Sequence, residues 1–409
     1  MLEKYLTCRN CGLSVDLGKN YYCNKCFNIL DVSYNYKSLV DEGIVETIFK
    51  GSPNNIWHYF EILPLLNKVN IVSMGEGNTP LVKSKKISSM YNIKSLYFKL
   101  ESQNPTASFK DRPISVGISK AVEFGASVVI VASAGNAAAS AAAYAARAGL
   151  KCIVCVPKDT PPSKVYQALS YGANLVLVNG GYERSYSIAK EASEKYGFYN
   201  LTTTFLNPYT VEGNKTVAYE IWNQLNHKVP DSVIIPTGAG PLLVGCYKGF
   251  LELRTFGLID KLPKMIGVQA EACSPLVRAF SLRENEVQEW HSSFNSILSG
   301  ITDPLIGYPQ DGTLTKEIIM KSNGTAISIT DNEALTACNL LATSEGVFCE
   351  PTAAASVGGL LKAFDKKITS QEIIVAVITG HGLKTPKALI EKNYSSPIVS
   401  NVEELIKIL

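Results

Sequence analysis

The stretch 127-SVVIVASAGNAAASAAAYAARAGLKCIVCV-156 decides the fold. Ser127 to Ala132 is a short unbroken apolar run, which suits a strand buried on both faces. The alanine-rich segment Ala137 to Ala148 reads as a helix, and Cys152 to Val156 as a second buried strand. Strand, helix and strand of these lengths make a βαβ unit with parallel strands. Ser133-Ala134-Gly135-Asn136 falls between the first strand and the helix. Its backbone N–H groups then point out at the carboxyl end of the sheet with the positive end of the helix dipole behind them, the layout of an anion site. The Asn136 amide can also donate to a ring oxygen. The plainer alternative is a βα turn with Asn136 as cap.

Outward from this unit the same alternation continues. Further strands are expected at Leu175 to Val178, Val233 to Ile235, Ile266 to Gln269, Ala326 to Ile329 and Ile373 to Ile378, with helices between them. Asp331 is the expected N-cap of a helix over Glu333 to Ser344. The fold class is therefore α/β with a mostly parallel sheet. Residues 35 to 75 are mixed in pattern, with a helix expected around Asn55 to Leu66, and read as a connector packed on the body.

Composition supports an enzyme of ordinary type. Of 409 residues, 46% are hydrophobic and 18% charged, enough to bury cores in two or three domains. The net charge of +3 is a small excess of 39 basic over 36 acidic residues spread along the chain, which gives no reason to expect a nucleic-acid or membrane partner. No apolar run approaches the ~18 residues of a membrane span, and the N-terminus lacks a signal-peptide layout, so a cytoplasmic location is expected.

Four of the ten cysteines form two C-x-x-C pairs, Cys8 with Cys11 and Cys23 with Cys26. Thiolates so spaced on two tight turns supply the four sulfurs of a closed structural zinc site, and residues 1–35 are expected to form a small zinc-ribbon-like knuckle. A redox C-x-x-C is disfavoured because no βαβ pattern accompanies the pairs. Arg9, Lys19 and Lys25 lie among Tyr5, Tyr21 and Tyr22, a mixture that stacks on bases in some proteins but is more simply a solvated face.

Three more segments carry chemistry. The string 105-PTASFKDR-112 contains Lys110. A lysine meant to form an imine must spend time as the free amine, and burial beside another cation promotes that form; Phe109 and Arg112 are the expected sources of these influences. Alone, such a lysine is usually a solvated surface residue. After the strand Val233 to Ile235 come Gly238, Ala239, Gly240, Pro241 and Leu242, where two glycines let the backbone curl around a phosphate at a helix start. The spacing is not a dinucleotide fingerprint. Thr379 closes the strand Ile373 to Ile378, at the edge where open α/β sheets bind ligands. A hydroxyl there can bond a pyridine nitrogen without fully protonating it, which suits elimination and replacement better than transamination. His381 reads as a solvated turn residue rather than a proton shuttle.

Taken together, these segments resemble the threonine synthases, within the β-family of pyridoxal-phosphate enzymes that shares the tryptophan synthase β-subunit fold. The resemblance covers roughly residues 70 to 390 and includes 75-GEGNTPL-81, PTASFKDR, SAGN, 207-NPY-209, 212-EGNKT-216, 267-GVQAE-271, 345-EGVFCEP-351 and 379-TGHGLK-384. It implies a two-domain open parallel-sheet fold over 36–409, with a smaller subdomain inserted at about 100–205, and commonly a homodimer. It implies that Lys110 holds pyridoxal 5'-phosphate as an imine, that Asn136 bonds the ring's 3-hydroxyl, that Gly238 to Leu242 bind the cofactor phosphate and that Thr379 bonds the ring nitrogen. Ser133 and Asn136 belong to the loop that receives the substrate carboxylate. The implied reaction converts O-phospho-L-homoserine and water into L-threonine and phosphate.

The sequence departs from the family's usual pattern at Ala107, Pro113 and Ala134, each in place of a glycine or threonine, and near Pro161 and Pro162, where Ser163 and Lys164 remain to hold a substrate anion. These departures touch the substrate side and leave three rivals. One is replacement on O-phosphoserine, as in cysteate synthase or a phosphoserine sulfhydrylase; another is an amino-acid dehydratase or ammonia-lyase. The third, from a different class, is a non-catalytic binding protein that keeps the fold.

Overall fold

The computed structural model describes residues 3–363, 368–385 and 406. Three sheets organise it. The first is antiparallel, β2-β1-β3, made of β1 (Lys4–Cys8), β2 (Ser14–Asp16) and β3 (Leu30–Tyr34). The second has six strands in the order β12-β11-β10-β13-β5-β4. Here β5 is Ser95–Leu100, β10 Ser232–Pro236, β11 Lys264–Ala270, β12 Thr325–Ile329 and β13 Ile373–Ile378, all parallel, while β4 (Leu81–Lys83) runs antiparallel on the edge. The third is the parallel sheet β8-β7-β6-β9, from β6 (Val128–Ala132), β7 (Lys151–Pro157), β8 (Asn174–Val178) and β9 (Tyr199–Asn200). The α/β class and the parallel sheets agree with expectation, and the strands divide between two sheets, as the two-domain resemblance implies. Apolar runs identify strands; they carry no information on which strands pair.

Burial explains the strands. Val129, Val131, Val154, Val156, Val233, Ile234, Val375 and Val377 are all inaccessible to solvent, as strands covered by helices on both faces require. The helix Asn136–Ala148 buries nine of its residues, Ala137 to Ala145, and their short side chains let it lie close on its neighbours. Gly149 ends it in the left-handed conformation, φ 70°.

Two expected helices differ in detail. The segment near Asn55 forms a 3₁₀ helix, Ile56–Ile62, rather than an α-helix to Leu66, because Pro64 bars the preceding residue from helical backbone. The later helix begins at Asp331 with Thr330 as cap: Thr330 Oγ1 accepts from Glu333 N–H while Glu333 accepts from Thr330 N–H. That reciprocal capping box prevails over Asp331 alone.

A buried ionic cluster fixes the helix Asp111–Glu123 onto the large sheet. Arg112 reaches Glu101 at 2.7 Å and Glu220 at 2.5 Å, and Lys99 of β5 meets Glu220 at 2.7 Å, all fully buried. Gly213, in the helix Pro208–Gln224, lets that helix touch the Arg112 backbone; a Cβ there would lie 2.2 Å from Arg112 O. The residue before this anchored turn is Lys110.

Candidate active site

Lys110 immediately precedes the helix Asp111–Glu123, on a loop strapped to the end of β13. Phe109 N–H donates to Thr379 O (3.0 Å), His381 N–H to Ala107 O (3.1 Å), and Ser108 bridges to Gly380. The strap needs Ala107 at φ 66°, a left-handed conformation for which glycine is suited, and this is a position where the resembling family usually has glycine. Lys110 Nζ donates to Thr203 Oγ1 at 2.8 Å and lies 4.5 Å from the centre of the Phe109 ring.

Burial lowers the Lys110 amine to about 8, partly offset by the charges of Asp303 and Glu350. The role expected of Arg112 is therefore corrected. Its charge is spent on Glu101 and Glu220, and loss of water rather than a neighbouring cation favours the free amine.

One cavity of about 590 Å³ collects the remaining segments. Its walls include Lys110, Asn136, Ser163, Lys164, the loop Gly238 to Leu242, and Thr379. The loop follows β10 and leads into the helix Pro241–Thr255, with proline at its first position, where no N–H is needed. Gly240 takes φ 109°, and a Cβ there would lie 2.0 Å from Thr315 Oγ1. No other residue fits that turn, which is held by Thr315 donating to Ala239 O at 2.7 Å.

Ser133 is not brought to the cavity wall; its hydroxyl accepts from Gly135 N–H at 3.2 Å. Asn136 is brought there, and its Nδ2 donates to Glu350 Oε1 at 2.9 Å. His381 stays outside the wall, with Nδ1 accepting from Leu383 N–H, as a turn histidine does.

Several cavity residues had been given no role from the sequence: Thr203, Asp303 and Gln167, and also Glu350 and Lys384, although these two fall within the EGVFCEP and TGHGLK strings. Glu350 stands just before the helix Pro351–Ala363, and burial pushes it up to about 7 against the opposing pull of Lys384 and Asn136. Burial likewise raises Asp303, whose Oδ1 accepts from Tyr308 Oη at 2.9 Å and Leu305 N–H at 3.0 Å. No motif signal marks Thr203, Asp303 or Gln167, while the strings that contain Glu350 and Lys384 do not tell which of their side chains turns toward the site.

The walls fit pyridoxal 5'-phosphate on three observations. Thr379 Oγ1 is buried and has no hydrogen-bond partner among the described residues, a group waiting for one. The glycine loop leads into a helix N-terminus and already faces a carboxylate, Asp303 Oδ2 lying 3.5 Å from where a Cβ on Gly238 would be. An amine easily made neutral faces the same space.

Remote from this cavity, Cys8, Cys11, Cys23 and Cys26 come together with all four Sγ atoms within 4.8 Å of one another, as free thiols. Cys8 and Cys26 Sγ are 3.4 Å apart, and Cys11 and Cys23 Sγ 3.6 Å. A tetrahedron with Zn–S bonds of about 2.3 Å has edges of about 3.8 Å, close to these spacings.

Comparison with known proteins gives a consistent picture. The profile of the family described as pyridoxal-phosphate dependent enzyme matches residues 72–380. The chain is 39% identical to a threonine synthase of Methanocaldococcus jannaschii over 94% of this chain and 93% of that one. It is 37% identical to a threonine synthase of Methanosarcina acetivorans over 95% and 94%. Among solved structures it is similar to the processed form of threonine deaminase isoform 2 from Solanum lycopersicum, with a TM-score of 0.61, 22% identity and coverage of 81% of this chain and 82% of that one. It is also similar to an O-ureido-L-serine synthase, with a TM-score of 0.64, 20% identity and coverage of 84% and 99%. These structures share its fold.

Proposed function

From a chain that belongs to the threonine synthases of the pyridoxal-phosphate-dependent enzyme family, we propose a lyase that converts O-phospho-L-homoserine and water into L-threonine and phosphate. The observation that carries this reading is a half-buried, easily neutralised amine at Lys110 sharing one cavity with the glycine loop and the unpartnered hydroxyl of Thr379.

In this reading Lys110 holds the cofactor, Gly238, Ala239, Gly240, Pro241 and Leu242 hold its phosphate, Asn136 its ring hydroxyl and Thr379 its ring nitrogen. Bound pyridoxal 5'-phosphate supplies an electron sink for negative charge developing at the substrate Cα. Lys110 Nζ takes the proton from Cα and moves protons at Cβ and Cγ. In balance, the C–O bond at Cγ breaks, phosphate leaves with that electron pair, Cγ ends as a methyl group, and the hydroxyl of water joins Cβ. Thr203 orients the amine between transfers through its 2.8 Å hydrogen bond. Asn136 binds at the mouth of the helix Asn136–Ala148, where backbone N–H groups and dipole favour the substrate carboxylate, and Ser133 supports that loop from behind.

The test is direct. Purified protein with cofactor should release equimolar phosphate and threonine from O-phospho-L-homoserine, and Lys110→Ala should lose both turnover and the visible absorption of the lysine-bound cofactor. An unchanged band in Lys110→Ala moves the attachment to another lysine. Turnover of O-phosphoserine with sulfite or sulfide alone would favour replacement chemistry, for which Ala107, Pro113 and Ala134 are the relevant departures. Release of ammonia from threonine alone would favour the dehydratase.

The reading extends to the remaining features. The four cysteines hold a structural zinc ion that leaves no open position for chemistry. Residues 1–35 form the knuckle, and about 100–205 form an inserted subdomain within 36–409. No helix among the described residues is long and apolar enough to cross a membrane. A cytoplasmic homodimer completes the proposal, and sedimentation of the purified protein checks its assembly state.

A further inference from the structure

The loop Gly238 to Leu242 offers an anion the start of the helix Pro241–Thr255, yet one of the chain's own carboxylates stands beside it. Asp303 lines the main cavity, and its Oδ2 lies 3.5 Å from where a Cβ on Gly238 would be. Its other oxygen fixes it in that position. Oδ1 accepts from Leu305 N–H at 3.0 Å and from Tyr308 Oη at 2.9 Å. Leu305 is fully buried and takes φ 59°, a left-handed backbone that a branched side chain adopts only under strain. Strain kept at the residue whose N–H holds a cavity carboxylate points to a functional placement rather than to packing alone.

The groups that face Asp303 leave its charge largely uncompensated. Lys110 attracts it, but among the described residues no cation closes to ion-pair distance on it. The other titratable groups around it are Tyr308, Tyr182 of the helix Tyr182–Tyr196, Asp311 of the helix Pro309–Lys321, and Cys273, none of them a cation. Burial accordingly holds the Asp303 carboxyl above the ordinary carboxylate value. A phosphate seated on the glycine loop brings like charge to this carboxylate and pushes it further toward the protonated form.

We propose that Asp303 is a proton-linked gate on the phosphate site of the glycine loop: ionised, it turns a phosphate away, and once it has taken a proton from solvent it donates a hydrogen bond to a phosphate oxygen. This rests on the reading that Gly238 to Leu242 hold the cofactor phosphate, and goes beyond it by making capture of that phosphate consume a proton. One O–H bond forms at the Asp303 carboxylate and no electrons change hands. By linkage, the proton and the phosphate strengthen each other's binding by the same factor.

The probe is pyridoxine 5'-phosphate, which carries the phosphate but no aldehyde and so cannot react with Lys110. It is titrated calorimetrically into the full chain stripped of cofactor, between about pH 7 and 9, where its phosphate stays largely dianionic. Buffers of different ionisation enthalpy read the proton count. The wild type should take up as much as about one proton per phosphate bound, and its affinity should fall by up to about tenfold per pH unit as Asp303 ionises beside the phosphate. Asp303→Asn, which keeps an acceptor for Leu305 and Tyr308, should lose the uptake and bind the probe at least about tenfold more tightly at the upper end of the range. Both titrations are repeated with Lys110→Met, so that the amine's own ionisation does not enter. Tyr308→Phe removes a donor to the carboxylate, should shift the loss of affinity to higher pH, and keeps the test open if Asp303→Asn fails to fold. Equal affinity and equal proton uptake in the wild type and Asp303→Asn, or an unmoved pH profile in Tyr308→Phe, overturn the gate and leave the phosphate site standing. Absence of probe binding to every variant overturns the phosphate site itself, and the gate with it.

Discussion

A neutral amine at Lys110 becomes available near pH 8 rather than the ordinary 10.5, because the charged form has lost its water. The rate of cofactor capture by the unloaded protein should therefore climb with pH up to about 8 and level off beyond it, as stopped-flow absorbance can follow. The same shift affects stability. Between about 8 and 10.5 the unfolded chain binds more protons at this lysine than the folded one, so its contribution raises stability with rising pH. Below that window both states are charged and the folded state bears the full desolvation cost. Lys110→Met should stabilise the unloaded protein at neutral pH by on the order of 2 kcal/mol and flatten its pH slope, measured by urea denaturation at several pH values. Three residues earlier, Ala107 sits at φ 66°. Ala107→Gly relieves that strain and should stabilise the protein by about 1 kcal/mol in the same assay. Lys110, Asn136, the glycine loop and Thr379 were legible because each ends a strand or begins a helix in a recognisable string. Thr203 and Asp303 were not: their neighbours in sequence are ordinary, and only the fold brings them to the cavity; Glu350 and Lys384 lay in recognisable strings, but nothing there tells which side chain faces the site.

The elements read most easily were those whose environment is uniform. The strands β6, β7, β10 and β13 are apolar along their length because both faces are covered, and the alanine-rich helix is apolar because it is packed on all sides. The two-residue strand β9 and the short edge strand β4 left no such trace, since neither is long enough to show a pattern. Contacts between helices were equally silent. Gly213 falls in the EGNKT string, yet nothing in that string tells that it is where the helix Pro208–Gln224 touches the backbone at Arg112. Gly213→Ala must push the lysine-bearing helix away. A loss of about 1–3 kcal/mol is expected, together with weaker cofactor binding, read from denaturation curves and cofactor titration. A stable variant with normal cofactor affinity would mean that the contact does not position Lys110.

At the scale of the whole molecule, the cysteine knuckle touches the other two sheets or their helices. Tyr21 Oη accepts from Asn200 N–H of β9 at 2.8 Å, while Asp31 meets Lys248 at 2.9 Å in the helix Pro241–Thr255 that leaves the glycine loop. Tyr34 Oη donates to Glu212 at 2.6 Å. Metal removal is therefore expected to act beyond residues 1–35. Cys23→Ser with Cys26→Ser should lose stoichiometric zinc and lower the thermal midpoint by several degrees, since a structural zinc site contributes folding energy. Retained zinc in that variant would defeat the four-thiolate site. The C-x-x-C spacing made the ligands legible; the surface against which the knuckle packs was not, because it is built from scattered tyrosines and charges.

The position of β13 has a consequence for how the chain is made. It is the last strand of its sheet to be synthesised, yet it lies between β10 and β5 and hydrogen-bonds to both. While a ribosome is still adding the final segment, the two flanking strands present bare apolar edges with nothing between them, and the loop carrying Lys110 has no strand end to be strapped to. Nascent chains stopped before Ile373 should accordingly remain sticky and protease-sensitive, and acquire the capacity to take up the aldehyde cofactor only once that central slot is filled.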